Sequence, residues 1–200
     1  MKGINHEGLH IDGSVGKSFA YGAQRGLLIV QGNADSRACI RLSGADVVLG
    51  GEITQPVTEE SLTTATQANL KGFACEYMTS GHVVILGDPG PYAFSGMTGG
   101  RVYQMLTPEL GFDQLALERR VALGAQIEIQ AVDAEDVTEV QRLLGGYVEA
   151  LEQTYQYEAA EHIRMLAREG EIFERFVKIV PMPASQAMAR VAAMAEDMAE

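Results

Sequence analysis

The sequence predicts an all-β solenoid with a helical C-terminal extension, and three observations carry the prediction. A Gly-bounded apolar run recurs with a period of roughly 18–20 residues. The stretches between Gly26 and Gly50 are too short and Gly-rich for the helices that a doubly wound α/β fold needs between its strands. The composition changes after Val132, where the Gly rhythm gives way to helical spacing. The division that follows is a solenoid over residues 1–132 and a helical extension over 133–200, packed on the solenoid or capping it.

The repeat units are GLHIDG from Gly8, GLLIVQG from Gly26, GADVVLG from Gly44, GHVVILG from Gly81 and GRVYQML from Gly100. Their starts lie 18, 18, 37 and 19 residues apart, so the long step is close to two units. One strand per period stacks on the strand of the period before it, in parallel, with Val, Ile and Leu turned inward. Glycine serves the corners, where the chain turns sharply. GAQIEIQ from Gly124 reads as a last, poorly spaced copy. Leucine-rich repeats have a similar period, but no L-x-x-L-x-L pattern recurs; a Gly-rich meander with chance spacing is the bland alternative.

Segment 52–73 fills the double step, as one atypical rung or a looped-out excursion with a short helix begun by Thr58. In the extension, Asp133 is the expected N-cap of a helix whose apolar stripe is Val137, Val140, Leu144, Val148 and Leu151. Gly145 and Gly146 weaken its middle. A second helix is expected over Glu158 to Arg168, stopping near Gly170. FVKIVP reads as a strand ending at Pro181, and the Ala- and Met-rich tail from Ser185 to Glu200 as a helix.

The chain has 200 residues, 46% of them apolar, with a net charge of −12. An acidic surface repels phosphate backbones and anionic membranes, so neither nucleic acid nor a membrane is an expected partner. No apolar run reaches membrane-spanning length and the N-terminus lacks signal-peptide features, which predicts a cytoplasmic protein. The two cysteines, Cys39 and Cys75, cannot build a four-Cys metal site and read as free buried thiols.

Several motifs approach chemistry and stop short. HEGLH, from His6 to His10, fits the zinc pattern H-E-x-x-H, which requires a helix. On a strand those histidines stand roughly 13 Å apart, too far for one metal. GSVGKS, from Gly13 to Ser18, has Ile11 where a phosphate loop needs its first glycine. GMTGGR, from Gly96 to Arg101, offers backbone N–H groups to an anion but no following helix dipole. Asp46 and Asp88 offer carboxylates without a partnered base, and His82 and His162 stand alone in the sequence. The expectation is a chain with no catalytic, cofactor-binding or metal residues of its own.

One stretch is more specific. It runs Cys75, Glu76, Tyr77, Met78, Thr79, Ser80, Gly81, then an apolar strand, then Ser95, Gly96, Met97, Thr98, Gly99, Gly100. It resembles the C-E-Y-M-T-G-G and A-G-M-S-G-G pattern of the C-terminal GXGXG domain of the glutamate synthase large (alpha) subunit. RLSGADVVLGG, GFDQLALERRVALGAQIEIQAV and FERFVKIVP follow the same family in order, so the resemblance covers about Gly13 to Pro183. It departs at Leu42, where the family carries Asn, and over 52–73. The resemblance implies a right-handed single-stranded parallel β-helix. It also implies a stand-alone, non-catalytic scaffold subunit that organises glutamine amidotransferase-like and FMN-binding synthase-like partners. FMN and an iron–sulfur cluster would sit on those partners, in glutamate biosynthesis or a variant such as N-methylglutamate synthesis. Cys75, Glu76, Tyr77, Met78, Thr79, Gly81, Gly96, Met97, Gly99 and Gly100 are the motif residues it singles out. Competing expectations are a scaffold like the Gly-repeat subunit of a formylmethanofuran dehydrogenase or formyl-transfer complex, a homo-oligomeric structural protein, and a metal enzyme using His6 and His10.

Overall fold

The computed structural model describes residues 13–183 and 185–186. Six strands form one sheet: β1 (Leu27–Val30), β2 (Ser43–Leu49), β3 (Ser80–Ile85), β4 (Arg101–Met105), β5 (Ile127–Ala131) and β6 (Phe176–Pro181). The order across the sheet is β1-β2-β3-β4-β6-β5. The first four strands, each one copy of the repeat, pair in parallel, with Val47 beside Val83 and Val83 beside Val102. β6 then enters antiparallel between β4 and β5.

This is a mixed α/β fold, and the expected all-β parallel β-helix is corrected by it. The reason lies in the strands themselves. Val47, Leu49, Val83, Ile85 and Val102 face one core, while Val48, Val84, Leu86, Tyr103 and Met105 face another. A strand apolar on both faces needs a layer on each side, and helices supply the second layer. Those helices are α3 (Ala134–Gln153), α4 (Tyr157–Leu166) and α5 (Glu169–Arg175), which bury Val140, Leu144, Ile163 and Ile172 against the sheet.

The other core lies between the sheet and a set of stacked turns. Isolated parallel bridges from Val15 to Ala34 and from Ala34 to Leu70 tie successive turns together. Within 52–73 sits α1 (Glu59–Leu62), capped by Thr58 in a reciprocal box with Ser61. Further along is α2 (Gln114–Arg120), capped by Asp113.

Asp133 caps α3 by accepting from the amides of Glu135 and Asp136. All five residues of the expected stripe are buried. The helix runs unbroken through Gly145 and Gly146, and a side chain at 146 would meet Leu27 of β1, so the glycine permits close passage over the sheet. Two expectations are corrected here. Gly170 lies inside α5 rather than ending a helix. The GAQIEIQ segment contributes β5, an antiparallel edge strand rather than a further stacked repeat.

Candidate functional site

The motif residues lie in the stacked turns. Each turn places alternate residues in the left-handed region: Arg37, Cys39 and Arg41 in one, Phe73, Cys75 and Tyr77 in the next, Tyr92, Phe94 and Gly96 in the third. For a side-chain-bearing residue this costs of order 1–3 kcal/mol. Hydrogen bonds between turns offset it. Arg37 and Arg41 donate their amides to the Gly72 and Glu76 carbonyls of the following turn, both at 2.8 Å. Cys75 donates in the opposite sense to Ala38 O at 2.9 Å. The central members Cys39, Cys75 and Phe94 are fully buried and join the sheet's core, while the flanking residues point outward.

Most of the sequence-singled residues therefore serve stacking. Cys75, Met78 and Met97 are buried. A Cβ at Gly81 would strike the Ala45 carbonyl, and one at Gly99 the Thr79 carbonyl, so glycine is required by the close approach of neighbouring backbone. Gly96 lies under the Tyr77 ring and Gly100 against Met78. Thr79 donates its amide to Leu42 O at 2.9 Å; Leu42, the residue that departs from the family pattern, is fully buried. Cys39 and Cys75 are free, and the hydrogen bond between them together with burial pushes the Cys75 thiol up, which leaves it a poor nucleophile.

On the outer side of these turns the exposed Arg37, Arg41, Tyr77 and Tyr92 and the half-buried Phe73 form a stripe. Phe73 stacks on Tyr92 with ring centres 5.2 Å apart, and the Arg37 guanidinium lies 5.7 Å from the Phe73 ring. Arg41 lies 6.0 Å from the Tyr77 ring, and Arg37 Nε is 3.5 Å from the half-buried Glu76 carboxylate. Exposed aromatic rings beside arginines are the composition of interface anchors.

A second constellation runs along the seam between the sheet and α3, and sequence reading missed it. His82, expected to stand alone, has Nδ1 3.0 Å from Asp46 Oδ1 and 3.2 Å from Glu139 Oε1. Arg142 donates to Asp46 Oδ2 at 2.6 Å and to Glu139 Oε2 at 3.0 Å. The fully buried Asp136 carboxylate receives Tyr103 Oη at 3.2 Å, Arg101 at 3.3 Å and Lys178 Nζ at 2.6 Å. Burial is the chief reason the Tyr103 phenol is raised. The repeat spacing would place Asp46 beside Val83, but an irregularity between Ser43 and Asp46 slides the register and pairs Asp46 with His82.

Asp88 also finds a partner that the sequence does not announce. Arg120, fully buried, grips it through Nε at 2.8 Å and Nη2 at 2.5 Å. The same guanidinium donates to the Ser61, Leu62 and Thr64 carbonyls, fastening segment 52–73 to the body. His162 pairs with Glu52 at 2.9 Å on the rim of a cleft of about 350 Å³ that Arg175 and Glu109 also line. Among the described residues, none of these groups forms a nucleophile–base–orienter set. His6 and His10 lie outside the described residues. No helix among the described residues is long and apolar enough to cross a membrane.

Comparison with known proteins places these features. Residues 9–182 match the family described as GXGXG motif. The chain is 26% identical over 185 residues, 92% of its length, to glutamate synthase [NADH] of Schizosaccharomyces pombe. It is 28% identical over 178 residues, 88% of its length, to the glutamate synthase [NADPH] large chain of Bacillus subtilis. Ferredoxin-dependent glutamate synthase 2, chloroplastic, of Arabidopsis thaliana is 32% identical over 59% of the chain. The matched regions are 7%, 10% and 6% of those proteins, so the chain corresponds to a tenth or less of each.

Proposed function

The chain belongs to the GXGXG-motif family, and from that premise we propose that it is the non-catalytic scaffold of a glutamate-synthase-type assembly. The observation that carries this reading is how the motif residues are used. Cys75, Met78, Gly81, Met97 and Gly99 hold neighbouring turns together instead of surrounding a substrate. The rigid stack leaves the stripe of Arg37, Phe73, Tyr92, Arg41 and Tyr77 outside, where a partner domain can seat.

In this reading the chemistry belongs to the partners. A glutamine amidotransferase-like chain releases ammonia, and a synthase-like chain carrying FMN and an iron–sulfur cluster uses it to make glutamate or an N-substituted glutamate. The scaffold fixes the distance between them, in the cytoplasm. The test is affinity capture of the tagged chain from its native extract, with partner identification and a visible spectrum of the eluate. Co-purification of an amidotransferase-like chain and a yellow-brown flavin–iron–sulfur chain is expected. Recovery of the bait alone, or glutaminase activity in the isolated chain, would overturn the proposal.

A further inference from the structure

Three groups of metal-binding type converge on the seam from three separate elements. Asp46 comes from β2, His82 from β3 and Glu139 from the second turn of α3. One donor atom of each lies within 4.8 Å of the other two, and all three residues are half-buried. We propose that Asp46, His82 and Glu139 form a binding site for a divalent transition cation of the zinc or cobalt type.

The geometry supports this in three ways. A zinc-type ion holds nitrogen and oxygen ligands at about 2.0–2.2 Å, so two tetrahedral ligands stand about 3.3 Å apart. His82 Nδ1 is 3.0 Å from Asp46 Oδ1 and 3.2 Å from Glu139 Oε1, close to that edge. An imidazole Nδ1 carries a single hydrogen and serves one of these oxygens at a time, whereas a cation serves both. The donors are also pre-oriented. The Tyr103 ring lies nearly parallel to the His82 ring, at 11° and 6.4 Å, and Arg142 pins the outer oxygens Asp46 Oδ2 and Glu139 Oε2. Such supporting contacts hold metal ligands in place.

The charge also balances in the right sense. Two carboxylates face one guanidinium, so with a neutral imidazole the cluster carries a net negative charge that a divalent ion more than offsets. Arg142 also reaches Glu139 Oε1. On binding, that oxygen exchanges the guanidinium for the metal, and the half-exposed Arg142 keeps its hold on Oδ2 and Oε2. His82 coordinates through the Nδ1 lone pair with its proton on Nε2. Three protein ligands leave a further position for water. The site bridges two neighbouring strands and the helix that covers them, so the ion would clamp α3 to the sheet.

The experiment is calorimetric titration of the chain with zinc chloride in a His6→Ala/His10→Ala background, which removes the N-terminal histidine pair. One equivalent of zinc is expected to bind, and His82→Ala and Glu139→Gln each to weaken binding at least about tenfold. Far-UV circular dichroism checks that each variant is folded. A second readout needs no substitution at the site: paramagnetic cobalt should broaden the His82 ring signals in the NMR spectrum before those of His162. The absence of one-equivalent binding, equal binding by His82→Ala, or cobalt broadening centred elsewhere would overturn the proposal.

Discussion

Arg120 is the residue that fastens segment 52–73 to the body. Its guanidinium is fully buried, paired to Asp88 and shared among three carbonyls of segment 52–73. Arg120→Ala leaves the Asp88 carboxylate buried without its partner and should cost about 3–5 kcal/mol, read from urea unfolding. A loss under about 1 kcal/mol would show that water replaces the guanidinium. Asp133 gives a pH-dependent counterpart. The hydrogen bond from Lys178, with the Asp136 amide, holds its carboxyl below the ordinary value of 3.8. The unfolded chain therefore takes up the proton first as pH falls. The stabilisation is complete above 3.8 and is lost below it, as pH falls through the lower folded value. The stability gap between the parent and Lys178→Met should be constant near neutrality and shrink below pH 3.8, followed by circular dichroism. A gap independent of acid would remove this pair from the account.

At the scale of the element, α3 shows how tertiary packing overrides propensity. Two adjacent glycines sit in its middle, yet it runs from Ala134 to Gln153. The buried stripe and the Asp133 cap hold it. The glycines are not equivalent: a Cβ at 146 would meet Leu27, whereas a Cβ at 145 meets nothing within 4 Å. Gly145→Ala should therefore stabilise the protein by about 1 kcal/mol, seen as a raised melting temperature. An unchanged or lowered temperature would mean that the flexibility at 145 is used. The turns show the opposite balance, because Arg37, Phe73 and Tyr92 adopt backbone conformations that their side chains disfavour. Hydrogen bonds to the next turn make that arrangement stable only when the turns are stacked.

The whole molecule is a sheet with a different layer on each side: helices on one, stacked turns on the other. The stripe lies on the outside of the turns, so its surface can change without touching either core. An Arg37→Glu/Tyr77→Ala variant should lose most of its captured partners while its melting temperature stays within a few degrees of the parent. Undiminished capture would move the partner contact to another face. Repeat, strands and cap were legible because glycine spacing, apolar runs and capping residues are local signals. The V-V-L and V-V-I runs also held the clue that both sheet faces are buried, which the solenoid expectation passed over.

The sequence by itself determined the family motif, the four parallel repeat strands, the Asp133-capped helix with its stripe, and the buried free thiols. Each depends on neighbours close along the chain or on a fixed repeat. Only the tertiary structure decided that β6 crosses between β4 and β5, that Arg120 finds Asp88, and that His82 meets Asp46 and Glu139. Those pairings join residues 32 to 57 positions apart, or whole strands further still, and the His82 pairing needs a register slip at one irregular position. The energy that selects them comes from burying charge and apolar surface together, and it exists only once the layers close.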